Sequence, residues 1–236
     1  MTTPRLLADI GGTNARFALL FPGRSMPAEL EVLACNEHAS VLDAIRGYLA
    51  RHDSVAPRSC AIGIATPVLG DFVSMTNHPW SFSIRELQAA LGLDRLVVIN
   101  DFTALALALP LLQASELRRI GPGKAKAGAP QAILGPGTGL GVSGLIPHGT
   151  ALVPLVCEGG HVTLSATNEA EDAVIVKLRQ RFGHASAERA LSGPGLVNLY
   201  QACCEIAGRT PRALEPEDVT TLALGDVDPM CRRAVE

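Results

Sequence analysis

The segment Leu6-Leu-Ala-Asp-Ile-Gly-Gly-Thr-Asn-Ala-Arg-Phe-Ala-Leu-Leu-Phe21 sets the reading of the whole chain. Two short apolar runs, Leu6 to Ile10 and Arg16 to Phe21, flank Gly11-Gly12, a pattern that predicts a hairpin. The glycines of its turn permit positive φ and let backbone N–H groups approach an anion with no Cβ between. Thr13 and Asn14 add a hydroxyl and an amide. Asp9 closes the first strand, where a carboxylate can hold a metal ion beside phosphates, directly or through water. A plain tight hairpin, with Asp9 satisfying local N–H groups, uses the same residues equally well.

Outward from this hairpin the first hundred residues alternate strand-like and helix-like runs. A third strand is expected near Glu31 to Ala34. Ser40 to Arg51 reads as a helix, from Val41, Ile45 and Leu49 at i, i+4 and i+8. Cys60 to Ala65 and Leu96 to Ile99 are continuous apolar runs, the pattern of strands buried on both faces. Ile84 to Leu91 between them looks helical. Asp101 opens an Ala/Leu helix expected to stop near Pro110. Gly121 to Pro130, rich in glycine and proline, reads as an exposed connection near a change of domain. The expected division is a small N-terminal α/β domain over 1–110 and a larger α+β domain over 111–236. In the second come a strand ending at Leu134, a glycine-rich hairpin and a mostly helical region from Asn168. Asn168 and Glu171 form a capping-box pattern there. Asp228-Pro229 pairs a capping residue with proline at the first helical position, so the chain is expected to stop inside an element.

Composition narrows the function classes. Of 236 residues 47% are hydrophobic and 18% charged, which describes a globular protein with a buried core. A net charge of −3 with no basic block offers no footprint for nucleic acid or anionic membrane. No run reaches the roughly 20 apolar residues that cross a bilayer, and Met1 to Arg5 leads into a strand without a signal-peptide core. Cytoplasm is the expected compartment. Cysteines at 35, 60, 157, 203, 204 and 231 lack CxxC spacing and read as reduced thiols packed like small apolar groups. Cys157 and His161 alone fall short of a zinc site. His38, His52, His148 and His184 read as surface residues.

Four further motifs carry candidate chemistry. Gly135-Pro-Gly-Thr-Gly-Leu-Gly141 follows an apolar strand but lacks the Lys-Ser/Thr pair of a P-loop. The dinucleotide match at Gly139 to Gly144 fails because an extended, Pro-broken stretch comes next where a helix is required. A hairpin offering Thr138 and the amides of Gly137 and Gly139 to phosphate fits better. Asn100-Asp101 stands where a buried strand meets a helix, at the carboxyl end at which ligands of open α/β sheets collect. A carboxylate there is kept ionised by the helix dipole and can take a hydroxyl's proton during phosphoryl transfer; a simple helix cap explains it as well. Glu158-Gly-Gly-His161 sets an acid and an imidazole on a turn that glycine lets lie close to a ligand. Glu188 is placed in the first turn of a helix begun at Ser186, where a dipole-favoured surface Glu is the ordinary role. Thr76-Asn-His-Pro-Trp80, with the single tryptophan, lines a cleft or anchors a loop.

In this order DIGGTNAR (9–16), MTNHPW (75–80), INDF (99–102), LGPGTGLGV (134–142), EGGHV (158–162) and ERALSGPGLVNLY (188–200) make the chain similar to the bacterial ATP-dependent glucokinases. These are the proteobacterial type within the sugar kinase/Hsp70/actin superfamily. The resemblance implies an actin-like, ribonuclease H-like fold of two α/β domains with a cleft between them, usually in a homodimer. It implies that Asp101 is the general base for the glucose 6-hydroxyl and that Asn100, Glu158, His161 and Glu188 bind the sugar. Asp9, Gly11, Gly12, Thr13 and Asn14, with Gly137, Thr138 and Gly139, would surround MgATP, Asp9 reaching Mg2+ through water. The cysteine-rich zinc signature of the ROK kinases is absent. Chains of this family continue past the point where this one ends, and the fold is expected to be incomplete at its C-terminus. Two other readings use the same residues: a sugar-binding fragment without turnover, and a phosphohydrolase of the same superfamily, which would leave Glu158, His161 and Glu188 unexplained.

Overall fold

A computed structural model describes residues 3–52 and 56–236. The chain divides into two compact units, residues 1–128 with 149–154, and residues 129–148 with 155–236.

The first unit is organised by a mixed five-stranded sheet. Strands β1 (Arg5–Ile10), β2 (Asn14–Leu20) and β3 (Ala28–Ala34) form an antiparallel meander. Helix α1 (Val41–Ala50) then leads to β4 (Ser59–Ile64). After the short antiparallel pair β5 (Phe72–Ser74) and β6 (Ser81–Ser83) come α2 (Ile84–Ala90), β7 (Arg95–Asn100) and α3 (Asp101–Ala108). The sheet order is β3-β2-β1-β4-β7, with β1, β4 and β7 mutually parallel. Ile10, Ile64 and Asn100 are cross-strand partners. This register makes β1, β4 and β7 present their carboxyl ends side by side.

One sheet face is sealed. Leu6, Ile10, Ile62, Ile64 and Val98 pack with Val41, Ile45 and Tyr48 of α1 and Leu87 of α2. Fully burying a Leu or Ile stabilises by roughly 1.5–3 kcal/mol. Helix α1 starts as expected, with Ser40 Oγ accepting from Asp43 N at 3.1 Å. β4 and β7 correct the expectation of two buried faces: Cys60, Ile62 and Ile64 are buried, whereas Ala61 is exposed and Val97 and Ile99 are only half-buried. An apolar run does not report what covers its second face. On that face a Cβ at Gly63 would meet Ala104 Cβ at 3.5 Å and Asp101 Cα at 3.8 Å, so glycine lets the start of α3 lie close against β4.

The second unit opens with the hairpin β8 (Gln131–Pro136) and β9 (Leu140–His148); β10 (Ala151–Leu155), next along the chain, falls in the first unit except for Leu155. Helices α4 (Glu169–Phe182), α5 (Gly193–Ile206), α6 (Pro216–Leu224) and α7 (Pro229–Val235) complete the second unit. They pack around Ile175, Leu178, Tyr200, Val219 and Cys231. At α4, Asn168 Oδ1 accepts from Glu171 N at 2.9 Å, while the returning Glu171 carboxylate takes Thr167 N and Asn168 Nδ2. The box is therefore shifted by one residue on its return arm. Asp228 caps α7, accepting from Met230 N at 2.8 Å.

All six cysteines are free; Cys157 alone is partly exposed. Burial pushes the Cys60 thiol up to about 12. Two of the histidines read as surface residues are not. The His38 side chain is 17% exposed beside Asp43, and the His52 side chain 16% exposed between Glu29 and Glu31 against the Tyr48 ring. For His52 the carboxylate partners come from β3, more than twenty positions away, which polar sequence context does not show; for His38 the partner is Asp43 in the first turn of α1. No helix among the described residues is long and apolar enough to cross a membrane.

Candidate active site

The candidate residues gather in two groups, one in each unit. In the first, the aligned strand ends do the placing. Asp9 stands one residue from the end of β1, and Asn100 and Asp101 at the junction of β7 and α3. Gly11 N donates to Asn14 O at 2.9 Å and closes the turn. Neither glycine of this turn has positive φ, contrary to expectation. Gly12 is required by close approach instead: a Cβ there would lie 3.2 Å from both Cβ and O of Asn77. Among the described residues the N–H groups of Gly12 and Thr13 have no hydrogen-bond partner, which leaves two adjacent donors for an anion.

The cap of α3 also differs from the simple reading. Asn100, not Asp101, is the capping residue: its Oδ1 accepts from Phe102 N at 3.0 Å and Thr103 N at 3.2 Å. Asp101 Oδ1 accepts from Phe102 N and from Asn100 Nδ2, each at 2.8 Å. Its second oxygen has no partner among the described residues. Burial raises the Asp101 carboxyl above the usual carboxylate range; the Phe102 N–H opposes this, and the charge of Asp9 adds to it. Half-burial costs the carboxylate more than the first turn of an eight-residue helix returns, so its proton is held more tightly than that of a free aspartate. A carboxyl moved upward is a stronger base for a hydroxyl proton.

Asp9 Oδ2 accepts from Arg16 Nη1 at 2.9 Å, with both side chains more than half exposed. Sequence reasoning gave Arg16 no part, although it lies within the first motif. Its place in β2, opposite Asp9 in the strand register, was the available signal. Among the described residues no group of three or more His, Cys, Asp or Glu side chains is placed to hold a metal ion. One free Asp9 oxygen suits a cation that keeps most of its shell in water and phosphate.

In the second unit the Gly135–Gly141 turn is held from inside. Gly137 N donates to Gly139 O at 2.8 Å, and Gly137 O accepts from Gly193 N at 2.8 Å, at the start of α5. Thr138 and Gly139 keep unpartnered N–H groups among the described residues. Leu140 N donates to Glu188 Oε2 at 2.9 Å. Glu188 therefore does not decorate a helix surface. It lies in a single-turn helix, Ala187–Arg189, while α5 begins at Gly193 under a Ser192 cap. A Cβ on Gly139 would come within 2.5 Å of Glu188 Oε2, so this glycine makes room for the carboxylate. Glu158 and His161 bracket another single turn, closed by His161 N donating to Glu158 O at 3.1 Å, and both side chains are exposed. Gly160 is required by packing, since a Cβ there would collide with Leu140 O. Trp80 is 4% exposed and its Nε1 donates to His38 O at 3.1 Å, which anchors the 75–80 loop.

A family model described as Glucokinase matches residues 6–236. A glucokinase of Aromatoleum aromaticum is 53% identical over 236 residues, covering all of this chain and 71% of that protein. The crystal structure of a glucokinase from an Antarctic psychrotroph superposes with a TM-score of 0.89 at 32% identity, over all of this chain and 74% of that one. A Balamuthia mandrillaris glucokinase in complex with glucose shares the fold, with a TM-score of 0.69 at 21% identity over 99% and 72% of the two chains. The mixed α/β architecture of this chain is thus that of a solved glucokinase over its whole length. The chain belongs to the glucokinase family.

Proposed function

We propose that this chain transfers the γ-phosphoryl group of ATP to the 6-hydroxyl of glucose, giving glucose 6-phosphate and ADP. The observation that carries the reading is Asp101: a half-buried carboxyl with raised proton affinity and one free oxygen, beside a turn with two unpartnered amides. Asp101 takes the proton of the 6-hydroxyl as that oxygen bonds to the γ-phosphorus and the bond to ADP breaks. Asn100, Glu158, His161 and Glu188 bind the other sugar hydroxyls. The turns 9–14 and 135–141 hold the phosphates through backbone amides, Thr13 and Thr138. Mg2+, reached by Asp9 through water, supplies charge neutralisation at the phosphates.

The same reading includes an actin-like pair of domains, expected from the sequence at 1–110 and 111–236, with the site in a cleft between them. A cytoplasmic homodimer belongs to it as well. Relatives named glucokinase at 46–53% identity support the substrate pair. The test is formation of glucose 6-phosphate from glucose and MgATP, with galactose as control. Product with glucose alone is the expected result. Phosphate release without sugar would favour the phosphohydrolase, and glucose binding without product would favour the sugar-binding fragment.

A further inference from the structure

The loop from the end of β4 to Trp80 carries polar groups to which the proposed phosphoryl transfer gives no part. Because Ile10, Ile64 and Asn100 are register partners, this loop leaves the sheet between the Gly11-Gly12 turn and Asp101. Thr66 is 4% exposed. Its hydroxyl donates to Ser74 O at 3.0 Å and meets Thr76 Oγ1 at 3.2 Å. A threonine hydroxyl has one proton and two lone pairs. With the Thr66 proton engaged by Ser74, the proton between the two threonines comes from Thr76. Thr76, an exposed residue, therefore keeps acceptor capacity on its hydroxyl and no donor.

The loop is rigidly placed. Met75 N donates to Trp80 O at 3.0 Å, Trp80 N donates to His78 Nδ1 at 3.4 Å, and the two rings meet edge-on at 4.7 Å. Asn77 rests against Gly12, as the 3.2 Å approach shows. An acceptor-only hydroxyl repels a phosphate oxygen and attracts an O–H group, so its partner is a sugar hydroxyl rather than the nucleotide.

We propose that Thr76 is a further sugar-contacting residue, accepting a hydrogen bond from a ring hydroxyl of the hexose, and that Thr66 is the positioning residue that orients it. This rests on the sugar-kinase reading. The chain's single tryptophan, Trp80, lies in the same loop and makes binding visible. Trp80 fluorescence, checked by calorimetry, is followed while glucose and its 2-, 3- and 4-deoxy analogues are titrated into wild type, Thr76→Val, Thr76→Ser and Thr66→Val. Thr76→Val is expected to weaken glucose roughly 3- to 10-fold, the size of one neutral hydrogen bond, and Thr76→Ser to restore it. One deoxy analogue should bind wild type and Thr76→Val alike, because the missing hydroxyl is the partner. Thr66→Val should give an intermediate loss with glucose and the same insensitive analogue. Wild-type affinity in Thr76→Val, or an equal loss with every analogue, overturns the assignment of Thr76 alone. A wild-type chain that binds no glucose overturns the sugar-kinase reading and this assignment together.

Discussion

The two halves of the candidate site are built on different principles. In the first unit, parallel register brings the ends of β1, β4 and β7 level, so Asp9, the Gly11-Gly12 turn and Asp101 are positioned by the sheet ladder itself. In the second, position hangs on side chains and close packing: the Glu188 carboxylate holds Leu140 N, and Gly139 exists to admit it. A ladder of backbone hydrogen bonds is shared among many groups and survives the loss of any one side chain. A turn fastened by one carboxylate does not. Loss of a single side chain should therefore disturb the second half more than the first.

The sharpest way to break this contrast is Asp101→Asn. The amide oxygen can still accept from Phe102 N, so the fold should hold while turnover drops by roughly two to four orders of magnitude, the usual share of a positioned base. The sign on stability is definite. A carboxyl whose folded pKa is raised costs stability where it is ionised and recovers it as pH falls through that pKa. At neutral pH the Asn variant should therefore melt no lower than wild type. For the same reason wild-type kcat should be lost as pH falls, with its acid limb at higher pH than an unperturbed aspartate would give. An active Asn variant would remove Asp101 as the base.

Glycine substitutions probe the second half. Gly139→Ala forces the new methyl against Glu188 and should detach the carboxylate from Leu140. KM for both glucose and ATP is then expected to rise, by about tenfold if one charge-assisted hydrogen bond is lost. Gly137→Ala, with nothing within 4 Å of its Cβ position, should change either KM by no more than about twofold on the same reasoning. Equal effects from the two would refute the fastening role of Glu188.

The smallest effect is expected from Arg16→Ala. Exposed ion pairs stabilise by about 0–1 kcal/mol, and both partners here are more than half exposed. Urea unfolding should shift within that range. The Mg2+ dependence of turnover is the more sensitive readout, because the freed Asp9 oxygen gains access to water and cation. An unchanged Mg2+ dependence would detach Asp9 from the metal.

How much the sequence revealed depends on how local each signal is. The hairpin at Gly11-Gly12, the Ser40 start of α1 and the caps at Asn168 and Asp228 are decided within a few residues, and all are legible. Glu188 is legible as a candidate but not as a fastener, since its partner is 48 positions away. Its expected helix is a single turn, and Ser192-Gly-Pro194 at the start of α5 is the stronger helix signal nearby. Asp101 is found by its place at a strand end. Its upward-shifted proton affinity is not, because burial depends on what α3 packs against. Gly12, Gly139 and Gly160 are legible as glycines that allow close approach, but not the neighbour within the protein that would crowd each Cβ.

The cysteines have a practical consequence. Five of the six thiols are buried, while Cys157, adjacent to Glu158, is partly open. A maleimide dye used sparingly on the folded chain should therefore attach at one place. That gives a label beside the proposed sugar residues of the second unit, complementary to the tryptophan of the first. Energy transfer from Trp80 to such a label would read the distance between the two halves directly, with and without sugar, without substituting a single residue.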